Sequence, residues 1–443
     1  MLSFRISASA SVGALLAFAQ LAIAQAPRGE LPRTHKPVPT TPAISPADLM
    51  TRLYTIADDS MGGREVGTEY HLKATAYIAA EAKRMGLVPA GDSGGYFQNL
   101  PVFSSWSDSA SMLGVGAERL ANGPDFIVVT PGERTVSLDG ATAIYGGVVT
   151  DSSTWPSADA VAGKVVVLSA LSGVPIRRLA FSPTSRFGRA TAVLVAARER
   201  VSPAMMVGLA RSVRFARAQG APLGPPSVIV LPRVVPLLFG MMDSLKAGAV
   251  AMKRLTGAIV GHERPAPARN VVAMLPGSDP RLKGEFVAIG AHNDHIGFNR
   301  APVDHDSIRA FNRTARVQGA DSPSPRSLTP EQLATIRRMT DSLRALHGGA
   351  RQDSIYNGAD DDGSGTVSVL EIAEFFAKSK VRPKRSLLFI WHAAEEKGLW
   401  GAEYFTDHPT VPRDSIVAQL NMDMVGRGAA SDVTGEAKDG TLT

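Results

Sequence analysis

Four clusters of histidine and carboxylate in the second half of this 443-residue chain have the composition of a divalent-cation site. They are His292-Asn293-Asp294-His295, Asp360-Asp361-Asp362, Glu395-Glu396 and Asp423. Carboxylates gathered closely repel one another unless a cation lies between them. Each cluster alone is ordinary: H-x-D is common surface polarity, consecutive aspartates cap helices whose N-terminal dipole favours negative charge, and paired glutamates are usually solvated. Their placement is more informative. Glu285–Ala291, Ser386–Trp391 and Val417–Met422 read as strands, and three of the clusters follow them directly. The aspartates precede a helical spacing over Thr366–Lys378, with Val367, Leu370, Ala373 and Ala377 on one face. Ligand sites in open α/β sheets lie beyond the carboxyl ends of strands.

The elements needed to position these groups can be read along the chain. Ser45-Pro46 predicts a helix start, an N-cap followed by proline at the first helical position, and Glu69–Met85 predicts a second helix stopped by Gly86. Residues 135–255 have a different texture, with short apolar runs between turn residues, and read as a separate β-rich inserted domain carrying a helix over Ala204–Ala216. From Asn270 onward the strand–loop–helix alternation predicts an α/β domain, a mainly parallel mixed sheet flanked by helices. Residues 297–356 interrupt that domain with a helix of their own: Thr329-Pro330-Glu331-Gln332 is a capping box, and Leu333, Ile336, Leu343 and Leu346 form a stripe. The expected segments are 45–134 for the N-terminal part of the main domain and 256–443 for its remainder.

Composition limits the function classes. Hydrophobic content of 44% with 20% charged residues is that of a globular protein. The net charge of +6 is dispersed, with no basic block and no nucleic-acid motif, so a nucleic-acid role is not expected. Residues 1–24 read as a signal peptide: Arg5, the apolar run Val12–Ala19 and Ala22-Ile23-Ala24 as a small-x-small cleavage pattern. Residues 25–44, with five prolines between Gln25 and Ala43, read as a disordered leader. The chain has no cysteine, so neither disulfides nor a lipidated cysteine is expected. The mature protein is expected to be periplasmic or secreted, with no stable membrane anchor.

Taken in order, AHNDHIG (291–297), GADDDGSG (358–365), AAEEKG (393–398) and Asn421-Met422-Asp423 resemble the motifs of the M28 family of zinc peptidases. Upstream, Gly62-Gly63-Arg64-Glu65-Val66-Gly67-Thr68 and Gly86–Asp92 are similar to the N-terminal region of bacterial members, and Asn270–Gly277 resembles the entry to their catalytic core. The inserted region, with Gly163–Leu168, looks like a protease-associated domain. The resemblance implies a zinc-exopeptidase fold, peptide substrates and two Zn2+. It implies His292 and Glu396 on one zinc, Asp361 bridging to a second about 3.5–4 Å away, and Asp423 on that second zinc. Asp294 would hold the His292 imidazole, and Glu395 would be the general base, taking a proton from the attacking water and returning it to the leaving amine. It also implies a non-proline cis peptide at Asp361-Asp362. His295 and His392 are given no ligand role and read as supporting or packing residues.

The family pattern carries one further histidine on the second zinc, downstream of the position of Asp423, and no histidine follows His408 here. The expectation is a C-terminally truncated sequence of an aminopeptidase. The rivals are a carboxypeptidase of the same family, using Arg300 or Arg427 for a free carboxylate, a catalytically inactive binding protein with this fold, and a zinc cyclase acting on N-terminal glutamine. The insertion between Asp294 and Asp361 is expected to restrict the site to short peptides, because loops at strand ends shape such pockets.

Overall fold

The computed structural model describes residues 38–129, 132–170, 185–202, 205–206, 209, 211–216, 223–240, 245–316, 325 and 327–426. The signal peptide and most of the leader lie outside them. The end of the leader does not: Thr40 donates to Glu374 (2.7 Å) and Thr41 to Asp48 (2.7 Å), so the expected disorder stops short of Ala43. Helix α1 (Pro46–Ile56) starts at Ser45, whose hydroxyl accepts the Asp48 N–H. Helix α2 (Glu69–Met85) is capped by Thr68 and ended by Gly86 at φ 82°, a left-handed stop that glycine adopts without steric cost. Both match the sequence expectation.

One sheet combines β1 (Val88–Pro89), β2 (Phe97–Asn99), β3 (Arg269–Leu275) and β4 (Phe286–His292) with two later strands. After β4 come β5 (Phe298–Asp304), α3 (His305–Ala315), α4 (Pro330–His347), β6 (Gln352–Ile355) and α5 (Gly365–Lys378). The strands β7 (Ser386–His392) and β8 (Ile416–Asn421), with α6 (Trp400–Asp407) between them, complete the described chain. The spatial order is β1-β3-β7-β4-β8, with β2 also on β3. Only β7, β4 and β8 run parallel to their neighbours on that side, while β1, β2 and β7 pair antiparallel with β3. The sheet is therefore mixed, and its parallel part is the part that carries the acidic clusters.

Apolar residues cover both faces. Ile56, Ile78, Val271, Ile289, Leu370 and Trp391 build a core between the sheet and α1, α2 and α5. On the opposite face Val272, Phe286, Leu388 and Ile390 pack with Phe405 of α6. Strand β7 is buried throughout, as expected of a central strand covered on two sides.

The β-rich region is real but wider than the expected 135–255. Val102–Ser107 pairs with Leu255–Pro265, and Phe126–Val128 pairs with Ser227–Val230, so strands before residue 135 belong to it. Single-strand texture does not reveal which partner completes a sheet. The expected helix over 204–216 is also corrected where it is described: Arg211–Phe215 is a strand on Val102–Trp106. Its Val213 and Phe215 alternate with polar neighbours and join Val66, Val102 and Trp400 in a small apolar cluster, a period of two rather than 3.6.

Candidate active site

The parallel register sets the site. His292 ends β4 directly opposite His392 at the end of β7. Strand β8 lies on the other side of β4, with Asn421 opposite Gly290, so Asp423 emerges just past His292. Beyond β7 the chain turns sharply: Ala394 has φ 58°, and Glu395–Lys397 form a short 3-10 turn. This turn is what lets two adjacent glutamates reach one site, since neighbouring residues of a continuing strand would point to opposite faces.

The three aspartates before α5 have separate tasks. Asp360 Oδ1 accepts from Gly426 N–H (2.9 Å) and Ser364 Oγ (3.2 Å). Asp362 Oδ2 accepts from His292 N–H (3.0 Å), while its Oδ1 accepts from Gly365 N–H (2.8 Å). Asp361, 36% exposed, turns outward, with Oδ1 3.1 Å from His292 Nε2. The Asp361-Asp362 peptide is cis, as expected.

His292 Nε2 lies 3.1 Å from Asp361, 3.7 Å from Asp423 and 3.9 Å from Glu395. His292, Asp361 and Asp423 form one group able to surround a cation, and His295, Asp361 and Glu396 form a second. Asp361 is common to both, as expected of a bridging carboxylate. The pairing of the others differs from expectation: Asp423, not Glu396, stands with His292. The reason is strand order, because β8 neighbours β4 while Glu396 is carried on a turn that swings past the end of β7. His295, expected to be a supporting residue, stands within reach of the second group. Its Nδ1 lies 2.6 Å from Glu396 Oε1, and both atoms are buried without a hydrogen bond. Buried polar atoms are normally satisfied; a proton shared by this pair would satisfy them, and so would a cation bound by both residues. His292, His295 and the carboxylates together are a donor set suited to zinc.

Asp294 sits below His292. The His292 Nδ1 is 3.1 Å from the Asp294 main-chain oxygen and 3.6 Å from its carboxylate. Asp294 Oδ1 accepts the Glu395 N–H at 3.1 Å, tying the imidazole to the glutamate turn. His392 packs against Phe405, and burial lowers its pKa to about 4 against the opposing effect of the Gly401 main chain.

Electrostatics follow from this crowding. Burial raises the Glu395 pKa, and Asp294, Glu396 and Asp423 push the same way against His292. Burial carries Asp362 up to about 7. The hydrogen bond from His292 holds Asp361 below the usual carboxylate range. Burial opposes charge on His292, but its contacts with Asp294 and Asp361 outweigh that and raise it to about 11.

Sequence reading missed a supporting bracket. Asn270, fully buried, accepts the Ala393 N–H (2.8 Å) and donates to Gln98 and to Gly401 O (both 2.9 Å), anchoring the start of the glutamate turn. A polar residue opening an apolar strand run was its only signal. A cavity of about 310 Å3 opens beside the second group. His295, Asp360 and Asp361 line one side, and Val303, Ile308 and Ile355 of the insertion line the other. The capped helix α4 does not line it; it backs onto α3, through Arg344 to Asp304 and His347 Nδ1 to Asp306 (2.9 Å). The part of the insertion that reaches the site is the pair β5–β6 and the start of α3.

Parts of the chain resemble known proteins. Residues 270–442 match the profile of Peptidase family M28. Over 126 residues the chain is 36% identical to Leucine aminopeptidase 1 of Coccidioides posadasii, covering 25% of this chain and 32% of that one. Over 89 residues it is 37% identical to Leupeptin-inactivating enzyme 1 of Streptomyces exfoliatus, covering 19% and 20%. The chain thus spans between a fifth and a third of the length of these curated relatives. Among solved structures, BSAP, a zinc aminopeptidase from Bacillus subtilis, superposes with a TM-score of 0.41 at 16% identity, over 86% of this chain and 69% of that one. The region that builds the site lies within residues 270–442, the stretch that matches Peptidase family M28.

Proposed function

We propose that this protein is a metal-dependent aminopeptidase that releases the N-terminal residue of short peptides. The observation that carries the reading is the pair of cation-ligand groups sharing Asp361, with Glu395 beside them. His292, Asp361 and Asp423 would hold one Zn2+, and Asp361, Glu396 and His295 face the second position. Bound zinc would supply Lewis acidity, polarising the scissile carbonyl and acidifying a water.

The chain's own groups do the rest. Glu395, raised by burial and neighbouring carboxylates, is suited to take a proton from the attacking water and pass it to the departing amine, since a general base works best near the operating pH. Asp294 fixes the glutamate turn through the Glu395 N–H. The cavity beside the site carries Asp353, Asp360 and Asp361 and no lysine or arginine among its described lining residues. That favours a free amine over a free carboxylate, and so an aminopeptidase over a carboxypeptidase. Val303, Ile308 and Ile355 offer apolar surface to the terminal side chain. Arg300 and Arg427, the candidates for binding a carboxylate, have no described side chains.

Export belongs to the same proposal and rests on the N-terminal sequence, with cleavage after Ala24 and the mature protein periplasmic or secreted. No helix among the described residues is long and apolar enough to cross a membrane. The β-rich module is read as a protease-associated domain. The reading is tested by offering the zinc-loaded protein one peptide in three forms: free, N-acetylated and C-amidated. Cleavage of the free and amidated forms with loss on acetylation is expected. Cleavage of the acetylated but not the amidated form would make it a carboxypeptidase. Binding without cleavage of any form would make it a binding protein, and ammonia release from an N-terminal glutamine peptide would make it a cyclase.

A further inference from the structure

One buried cation stands among the loops that carry the ligands. Arg64 is 1% exposed and forms no ion pair with a carboxylate among the described residues. Its guanidinium is spent on main-chain oxygens instead. Nε donates to Asn293 O (3.2 Å), Nη1 to Ile56 O (3.1 Å) and Asn357 O (2.6 Å), and Nη2 to Gly358 O (2.8 Å). Asn293 lies between His292 and Asp294, and Asn357-Gly358 leads into Asp361. A single side chain therefore ties the histidine loop to the aspartate loop and both to the end of α1.

The backbone goes to unusual lengths to place it. Gly62, Gly63 and Arg64 are consecutively left-handed, at φ 50°, 64° and 50°. For arginine this conformation is strained, and such strain persists where surrounding contacts over-determine it. A Cβ on Gly63 would lie 2.5 Å from Tyr356 O and 2.7 Å from Gly297 O. Gly63 O in turn accepts the Gly297 N–H at 3.1 Å. The Gly62-Gly63-Arg64 turn is thus wedged between the two loops, and neighbouring Glu65 accepts from Lys397 (3.0 Å), the residue after Glu396.

We propose that Arg64 is a positioning residue that preforms the cation site, holding the His292 and Asp361 loops in ligand geometry before any ion enters. This rests on the metal-site reading above. Its planar fork serves acceptors in several directions at once, which a lysine ammonium on a flexible stem does not reproduce. Its charge also offsets repulsion in the ion-free cluster, since Asp294, Asp361, Asp362 and Glu396 all act on it.

The test compares zinc affinity, by competition with a chromophoric chelator, for wild type, Arg64→Lys and Arg64→Gln, each confirmed folded by near-ultraviolet circular dichroism. At least a tenfold loss of affinity in both variants is expected, with an altered visible spectrum of the Co2+-loaded form. A folded Arg64→Gln protein with wild-type affinity and spectrum overturns the proposal. Hydrogen exchange on wild type provides a second arm that needs no variant. Protection of residues 293–297 and 356–361 should be the same with and without zinc, and loops that exchange freely until zinc is added overturn preformation. Wild type that binds no zinc defeats the metal-site reading, and whether Arg64 holds the loops is then decided by exchange without zinc: residues 293–297 and 356–361 should lose protection in Arg64→Gln, and unchanged protection overturns the proposal.

Discussion

At the scale of residues, chemical identity was legible and pairing was not. His292, Asp361, Glu395, Glu396 and Asp423 stand out in the sequence because each follows a strand or opens a helix. Which of them share an ion depends on strand order, and the order β7-β4-β8 brings Asp423 to His292. The same lesson applies to His295, whose reach to Glu396 depends on the turn after Ala394. A further residue carries a pH prediction. His71 on α2 is fully buried, and its Nε2 accepts the Arg269 N–H at 3.1 Å, so it is held neutral. Burial lowers its pKa from 6.5 to about 4. Unfolding therefore takes up a proton between these values, and stability falls as pH drops through that window, by about 1.4 kcal/mol per pH unit for one group. On going from pH 6.5 to pH 5, urea unfolding should show wild type losing about 2 kcal/mol more than His71→Gln, with identical slopes arguing against the assignment. The comparison with the variant separates His71 from His392, lowered by burial in the same sense, and from Asp362, whose raised pKa acts in the opposite sense.

Elements were legible where they carry their own punctuation. Ser45-Pro46, the Thr329 capping box and the glycines at 86 and 348 mark the helix ends seen in the structure, because capping is a local interaction. Arg211–Phe215 was misjudged because its strand character is realised only on pairing with Val102–Trp106. The start of the β-rich module was misplaced for the same reason. Packing between helices hides a polar knot that no periodicity announces: Arg52 of α1, fully buried, is paired with Glu81 of α2 and with Glu371 and Glu374 of α5. Removing one member leaves buried charge uncompensated, at a cost of about 3–5 kcal/mol. Arg52→Met should lose that much stability in chemical denaturation, and a change below about 1 kcal/mol would show the cluster to be solvated.

For the whole molecule, a mixed sheet with helices on both faces delivers a histidine, a glutamate pair and an aspartate to one end of three parallel strands. Helix α5 adds the shared carboxylate from its N-terminus. The sequence order of the motifs made the α/β domain readable, while the split of the N-terminal half between the main sheet and the β-rich module emerged only from pairing. The insertion between Asp294 and Asp361 lines the cavity through β5, β6 and the start of α3, and it is flanked in sequence by His295 and Asp361. Glu395 is proposed to transfer the proton at a zinc site built by the other residues. The most direct measurement is the rate of N-terminal residue release by wild type and Glu395→Gln at equal bound zinc. Retained zinc with a rate lower by about 10²–10⁴-fold is expected; a variant that keeps both its zinc and its wild-type rate rules Glu395 out as the general base.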